Sequence, residues 1–209
     1  MQHKNHHLWP YWVDFLKQQK DIRFIMYGTL INKNSIQKTF SSALSTEPVI
    51  ALGVKRVFNF ALIDKNYVNR GGRYEQSSRK NHNATLNVLH TGNVKDKVNG
   101  VLLSTLPEDI DALAEREHGY DIIPVEYEGV NQQGSAYMFI ARKFQEIGYR
   151  VRDDILPNES ALTICLTGAS TYGGEFLKMW INSCYLADGT AILGHPYYKS
   201  FIDDFLRKP

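Results

Sequence analysis

Phe24-Ile25-Met26-Tyr27-Gly28-Thr29-Leu30 is the stretch around which the rest of the chain is arranged. An apolar run ends at a glycine and a small hydroxyl residue, and a run of this length bounded by a turn signal reads as a buried strand. Gly28 permits a sharp bend, or lets another backbone or a ligand come close. The polar segment Asn32-Lys33-Asn34-Ser35 follows, then Ile36 to Leu44, where Asn34 or Ser35 can cap a helix running to about Ala43. Backbone N–H groups left free at such a bend can hold an anion or a developing oxyanion. Taken alone, strand, glycine, turn and helix form a common structural element, so the case for a site rests on what lies downstream.

The chain has 209 residues, of which 43% are hydrophobic and 12% aromatic, enough for one sizeable domain with a substantial core. A formal net charge of +2 gives no ground for a nucleic-acid or membrane-surface partner. Cys165 and Cys184 sit in apolar segments and read as reduced core thiols of a cytoplasmic protein. The N-terminal patch Leu8 to Leu16 contains Pro10 and Asp14 and lacks a small-residue cleavage site, so no leader peptide is expected. No apolar stretch approaches a membrane span. His3, His6 and His7 read as a solvated tail rather than a metal site.

Away from the opening stretch, Leu8, Trp9, Trp12, Val13 and Leu16 mark one face of a short helix packing on the outside of the domain. Residues 48–63 read as one bent strand or two short ones, with Gly53 at the bend. Residues 64–83 are polar, basic and glycine-containing, a solvated loop in which Arg70, Arg73 and Arg79 are available to a carboxylate or phosphate. An RNA-binding reading of the Arg70 to Lys80 segment is disfavoured by the want of aromatics beyond Tyr74 and by the nearly neutral chain. Strands are expected at 84–89, 98–103, 122–127 and 136–141, with Pro124 restricted to an edge or a bulge. Helices are expected after Pro107, after Asn158, after Gly173-Gly174 with Cys184 on its apolar face, and over 198–206. Strands in the middle with helices between and at both ends give an α+β domain. The expected divisions are an N-terminal helical extension over 1–20, a main domain over 21–168 and a C-terminal helical extension over 169–209.

The helix from Pro107 to Glu117 carries the deciding anomaly. Its apolar stripe is Ile110, Leu113 and Ala114, and the next member of that series is Glu117. Glu108, Asp111, Glu115 and Arg116 lie off the line and read as solvated face. Glutamates are rarely buried without a partner. Either Glu117 frays outward or pairs with an arginine such as Arg56 or Arg73, or it is a partly desolvated carboxylate lining a cavity, the way general acid/base glutamates are tuned. An anion-holding bend at Tyr27 to Leu30 and a buried base at Glu117 together suit chemistry at a carbonyl.

These residues resemble a known family. Tyr27-Gly28-Thr29-Leu30 is similar to the Tyr-Gly-Ser-Leu signature of the γ-glutamylcyclotransferase-like proteins, with their AIG2-like and ChaC-like branches. Asn32, Gly53-Val54-Lys55-Arg56-Val57-Phe58, Val98-Asn99-Gly100-Val101-Leu102, and Leu113-Ala114-Glu115-Arg116-Glu117-His118-Gly119-Tyr120 follow in the family's order, and the resemblance covers roughly residues 22–168. It implies a small mixed β-barrel with flanking helices. It also implies attack of the α-amino group of a γ-glutamyl amine or peptide on its own γ-carbonyl, giving 5-oxoproline and a free amine without metal or cofactor. Glu117 would be the general acid/base, and Tyr27, Gly28, Thr29, Leu30 and Tyr120 would bind the small-molecule substrate. The chain departs from the pattern at Thr29, where serine is usual, at Ala114, where some members have aspartate, and at Ala161, where several carry a tyrosine. The competing reading is a non-catalytic binding module of the same fold. A nucleophilic hydrolase is disfavoured, since no Gly-x-Ser-x-Gly elbow occurs.

Overall fold

The structure, a computed structural model, describes residues 12–40, 46–62, 79, 81–117, 119–141 and 149–207. The loop arginines Arg70 and Arg73, the histidines at 3, 6 and 7, and His118 lie outside the described residues.

The opening stretch is β1 (Ile22–Met26), and it belongs to a closed five-stranded barrel in the order β1-β5-β2-β6-β7. The other staves are β2 (Thr46–Leu52), β5 (Lys97–Thr105), β6 (Tyr120–Gly129) and β7 (Gln133–Ala141). Neighbours run antiparallel except where β1 closes on β7 in parallel, at Phe24 opposite Tyr137. The barrel is therefore mixed, as expected from the resemblance. Pro124 lies where β6 pairs with β7, before the stretch at 127–129 that pairs with β2, so its missing N–H costs no second ladder.

A second sheet stands beside the barrel. Its spine is β3 (Val54–Leu62), separated from β2 by Gly53 at a positive φ of 73°, so the two-strand reading of 48–63 is the one realised. On one edge β3 pairs with β4 (Ala84–His90), and on the other with two three-residue strands, β8 (Tyr149–Val151) and β9 (Cys184–Leu186). The sequence reading contains neither short strand. Cys184, read as helical, lies on β9, because the preceding helix ends at Asn182.

The first helix, α1 (Trp12–Lys17), packs one face onto the outside of the barrel. Trp12, Val13 and Leu16 are buried, and the Trp12 ring meets Phe24 and Phe139 edge-on at 6.5 and 5.9 Å. Those two rings stack at 5.0 Å across the β1–β7 closure, so α1 covers the parallel joint of the barrel. After β1 a 3₁₀ turn at Thr29–Ile31 leads into α2 (Lys33–Gln37), which is shorter than expected. Its cap is Asn32, whose side chain accepts from the Asn34 amide at 3.0 Å, rather than Asn34 or Ser35.

The helix after Pro107 begins as a 3₁₀ turn, Pro107–Asp109, and continues as α3 (Ile110–Arg116). Three helices complete the chain: α4 (Glu159–Ser170), capped by Asn158 onto the Ala161 amide at 3.0 Å, α5 (Gly174–Asn182) and α6 (Pro196–Arg207). Cys165 and Cys184 are free and buried. Burial pushes the Cys184 thiol up to about 11 and Cys165 higher still, so both stay protonated and inert at neutral pH. Among the described residues no helix is long and apolar enough to cross a membrane.

Candidate active site

Glu117 is the C-cap of α3, with φ −100° and ψ 27°, and its amide closes the last turn onto the Leu113 carbonyl at 2.9 Å. Its side chain is 15% exposed. It has thus left helical geometry just where the apolar stripe would carry it inward, and it sits at the barrel's rim, immediately before β6. Tyr120, the first residue of β6, donates its amide to the Glu117 carbonyl at 2.8 Å, tying the cap to the strand.

Among the described residues the partner of Glu117 is Arg116 rather than Arg56, and Arg116 Nε donates to Glu117 Oε1 at 2.8 Å. Consecutive residues on a helix do not face one another, so this pair exists only because Glu117 has stepped off the helix. Arg116 is 8% exposed, not a solvated face residue. Its Nη2 donates to Thr29 Oγ1 and its Nη1 to Thr39 Oγ1, both at 3.1 Å. The guanidinium therefore joins the end of α3 to the bend after β1, segments 87 positions apart. Among the described residues Glu117 Oε2 has no hydrogen-bond partner.

The bend is braced from behind. Tyr27 is buried, and its hydroxyl donates to the Phe139 carbonyl at 2.7 Å. Its own carbonyl accepts from Trp180 Nε1 at 3.1 Å. Burial raises the Tyr27 hydroxyl well above the usual tyrosine range, with Tyr120 and Glu117 nearby adding to the rise, so it stays a neutral donor. Leu30 and Ile31 point into the core. As first amides of a turn, those of Gly28, Thr29 and Leu30 have no intrahelical acceptor. No acceptor for them occurs among the hydrogen bonds of the described residues. A methyl at Gly28 would meet only the Leu86 side chain at 3.7 Å, an ordinary contact. The protein's own packing therefore does not demand glycine there. Leu86 also accepts the Tyr120 hydroxyl on its carbonyl at 2.7 Å, so Tyr120 and Gly28 flank the same residue of β4.

Behind Tyr27 lies Arg56, fully buried, on the same face of β3 as Val54 and Phe58. Its guanidinium donates to the Asn99 carbonyl, the Trp180 carbonyl at 3.0 Å and Ser183 Oγ at 2.8 Å, and lies 4.7 Å from the centre of the Trp180 ring. No carboxylate faces it among the described residues. Carbonyls and a ring serve as its counter-dipoles, and burial pulls its pKa down. Arg56 and Trp180 together fasten α5 to the back of the bend, so residues beyond 168 help build the site's frame. Ala161 is buried in α4. Among the described residues no cluster of three or more His, Cys, Asp or Glu could hold a metal ion.

The mixed five-stranded barrel with its side sheet and flanking helices recurs among solved structures. A protein described as γ-glutamyl cyclotransferase superposes with a TM-score of 0.54 over 88% of this chain and 99% of its own, at 12% identity. A γ-glutamyl cyclotransferase specific to glutathione, from yeast, gives 0.50 over 78% and 97%, at 12% identity. The fold is that of the γ-glutamyl cyclotransferases. An uncharacterized human protein shares this cyclotransferase-like fold, with a TM-score of 0.54 over 78% of this chain and 87% of its own, at 14% identity. No protein-family model matches the chain, and no curated protein matches it by sequence.

The sequence reading named Tyr27, Gly28, Thr29, Leu30, Glu117 and Tyr120. Thr29 and Glu117 meet through Arg116, and Tyr120 and Gly28 share Leu86. Tyr27 spends its hydroxyl and its carbonyl on the scaffold. The reading omitted Arg116, Thr39 and Trp180 as parts of the arrangement, and named Arg56 as a possible partner of Glu117 rather than as a brace behind the bend. Arg56 carried a visible signal, a charged residue in phase with Val54 and Phe58 on an apolar strand. Arg116 carried none, because its inward turn depends on the cap conformation of Glu117.

Proposed function

We propose that the chain is a γ-glutamylcyclotransferase-like enzyme that converts a γ-glutamyl amine or peptide to 5-oxoproline and a free amine. The observation that supports this reading most is the meeting of Glu117 with Thr29 through one guanidinium, on a barrel of the cyclotransferase fold. Glu117 Oε2 takes a proton from the substrate's α-ammonium. The freed nitrogen lone pair attacks the γ-carbonyl carbon, and the new C–N bond closes a five-membered ring. Charge gathers on the γ-oxygen, where the amides of Gly28 to Leu30 are the available donors. As the tetrahedral carbon collapses, the original γ-amide bond breaks and its nitrogen recovers the proton from Glu117, while the second proton of the ring nitrogen passes through the freed carboxylate to the departing amine, which leaves as an ammonium. Tyr120 lines the approach. Because nucleophile and carbonyl belong to one molecule, holding the substrate folded supplies much of the rate. The chemistry draws on no metal or cofactor, and the partner is a small molecule.

The test is incubation of the purified chain with γ-glutamyl amines, γ-glutamyl amino acids and glutathione, scoring 5-oxoproline. Release from at least one of these is expected. A chain that folds and converts none of them is a binding module, and the enzymatic reading falls.

A further inference from the structure

Hydrogen-bond polarity at Arg116 has a chemical consequence for the cyclotransferase reading, on which this inference rests. A guanidinium only donates. Glu117 Oε1, Thr29 Oγ1 and Thr39 Oγ1 are therefore all acceptors toward it. Thr39 turns its own proton back onto the Ser35 carbonyl at 2.9 Å. Thr29 has its oxygen committed to Arg116, and its O–H finds no acceptor among the described residues. Glu117 is in the mirror situation, with Oε1 committed and Oε2 without a partner among the described residues. One buried cation thus leaves an unspent acceptor on one side and an unspent donor on the other.

We propose that Arg116 is a positioning residue that sets Glu117 as the proton acceptor and the Thr29 hydroxyl as a donor of one site. That pair complements a substrate which gives up a proton at nitrogen while charge gathers at a carbonyl oxygen. The Thr29 O–H then joins the backbone amides of the bend on the γ-oxygen. Lysine cannot replace Arg116 here, because a compact ammonium does not span three oxygens with a planar fork.

The test uses the full chain and its best γ-glutamyl substrate, with kcat and KM read separately for Arg116→Lys, Thr29→Val, Thr29→Ser and the double variant Arg116→Lys/Thr29→Val. Arg116→Lys and Thr29→Val are each expected to lower kcat about tenfold or more, with KM within about threefold. Thr29→Ser is expected to be at least about fivefold faster than Thr29→Val. The double variant is expected to fall no more than about threefold below Arg116→Lys, because the arginine's loss already frees the hydroxyl from its orientation. A double variant whose loss equals the product of the single losses overturns the proposal, as does a Thr29→Ser no better than Thr29→Val. Should Arg116→Lys fail to fold, the two Thr29 variants decide alone. The clamp also has a readout independent of turnover, the NMR signal of the Arg116 Nε–H. Its hydrogen exchange is expected to speed up about tenfold or more in Glu117→Ala. Exchange unchanged in that variant overturns the clamp whether or not any γ-glutamyl compound is converted, whereas an inactive wild type with an intact clamp overturns only the reaction assigned above.

Discussion

Glu117→Gln is expected to reduce 5-oxoproline release by about a thousandfold or more, within the range that general acid–base groups contribute. This corresponds to a barrier raised by roughly 4 kcal/mol. The amide has the shape of the carboxylate and still offers Oε1 to Arg116 Nε, so the join to Thr29 survives. What is lost is the capacity to take a proton from the substrate's α-ammonium and return it to the leaving nitrogen. The loss should fall on kcat, with KM changed little, because binding by the bend is untouched. Arg116 is left next to a neutral partner at 8% exposure, which costs about 1–2 kcal/mol of stability, small enough for the variant to stay folded. Wild type and variant compared under the same conditions, with a thermal melt as control, decide the matter. Equal rates would mean that Glu117 is not the catalyst.

Gly168→Ala is expected to destabilise the protein and slow it together, against the ordinary rule for helices. In a helix such as α4, whose last turn holds Gly168, alanine normally gains up to about 1 kcal/mol over glycine. Here a Cβ would lie 2.7 Å from the Asn32 nitrogen, 2.8 Å from Asn32 Cα and 3.0 Å from the Ile31 carbonyl carbon. These are backbone atoms and cannot rotate aside. Overpacking of this kind costs about 1–3 kcal/mol or more, which outweighs the propensity gain. The melting temperature should fall by about 3–8 °C for a chain of this size. The strain also pushes on the turn that carries Thr29, so kcat should fall by about tenfold or more through misplacement alone. A melting temperature that rises instead would show that α4 does not press on the bend.

The staves of the barrel were legible because they obey local rules, whereas their closure into a mixed barrel was implied by the family resemblance. Phe24 to Met26 and Ala136 to Ala141 are apolar runs between turn signals, Val98 to Leu103 is one interrupted by Asn99 and Gly100, and Gly53 sits where the chain bends from the barrel into the side sheet. The three-residue strands β8 and β9 obey no such rule. Cys184 to Leu186 pairs with Arg56 to Phe58 only because α5 delivers it there, a tertiary effect that no local window contains. Glu117 could be found because it breaks an apolar stripe, and Gly28 because it ends an apolar run. Arg116 could not, since reading it as solvated follows correctly from helical periodicity. It turns inward because its neighbour leaves the helix and because two threonine oxygens, Thr29 and Thr39, wait on a segment distant in sequence. Trp180 was legible as an apolar helix residue but not as the donor to the Tyr27 carbonyl, since its indole N–H finds that acceptor only once α5 has docked.

The most direct measurement is a crystal structure of Glu117→Gln with an uncleaved γ-glutamyl dipeptide bound. The substrate's α-amino nitrogen should lie within about 3.2 Å of the residue 117 side chain, and its γ-carbonyl oxygen should face the amides of Gly28 to Leu30. A dipeptide bound elsewhere, or one whose amino group points away from residue 117, would contradict the account.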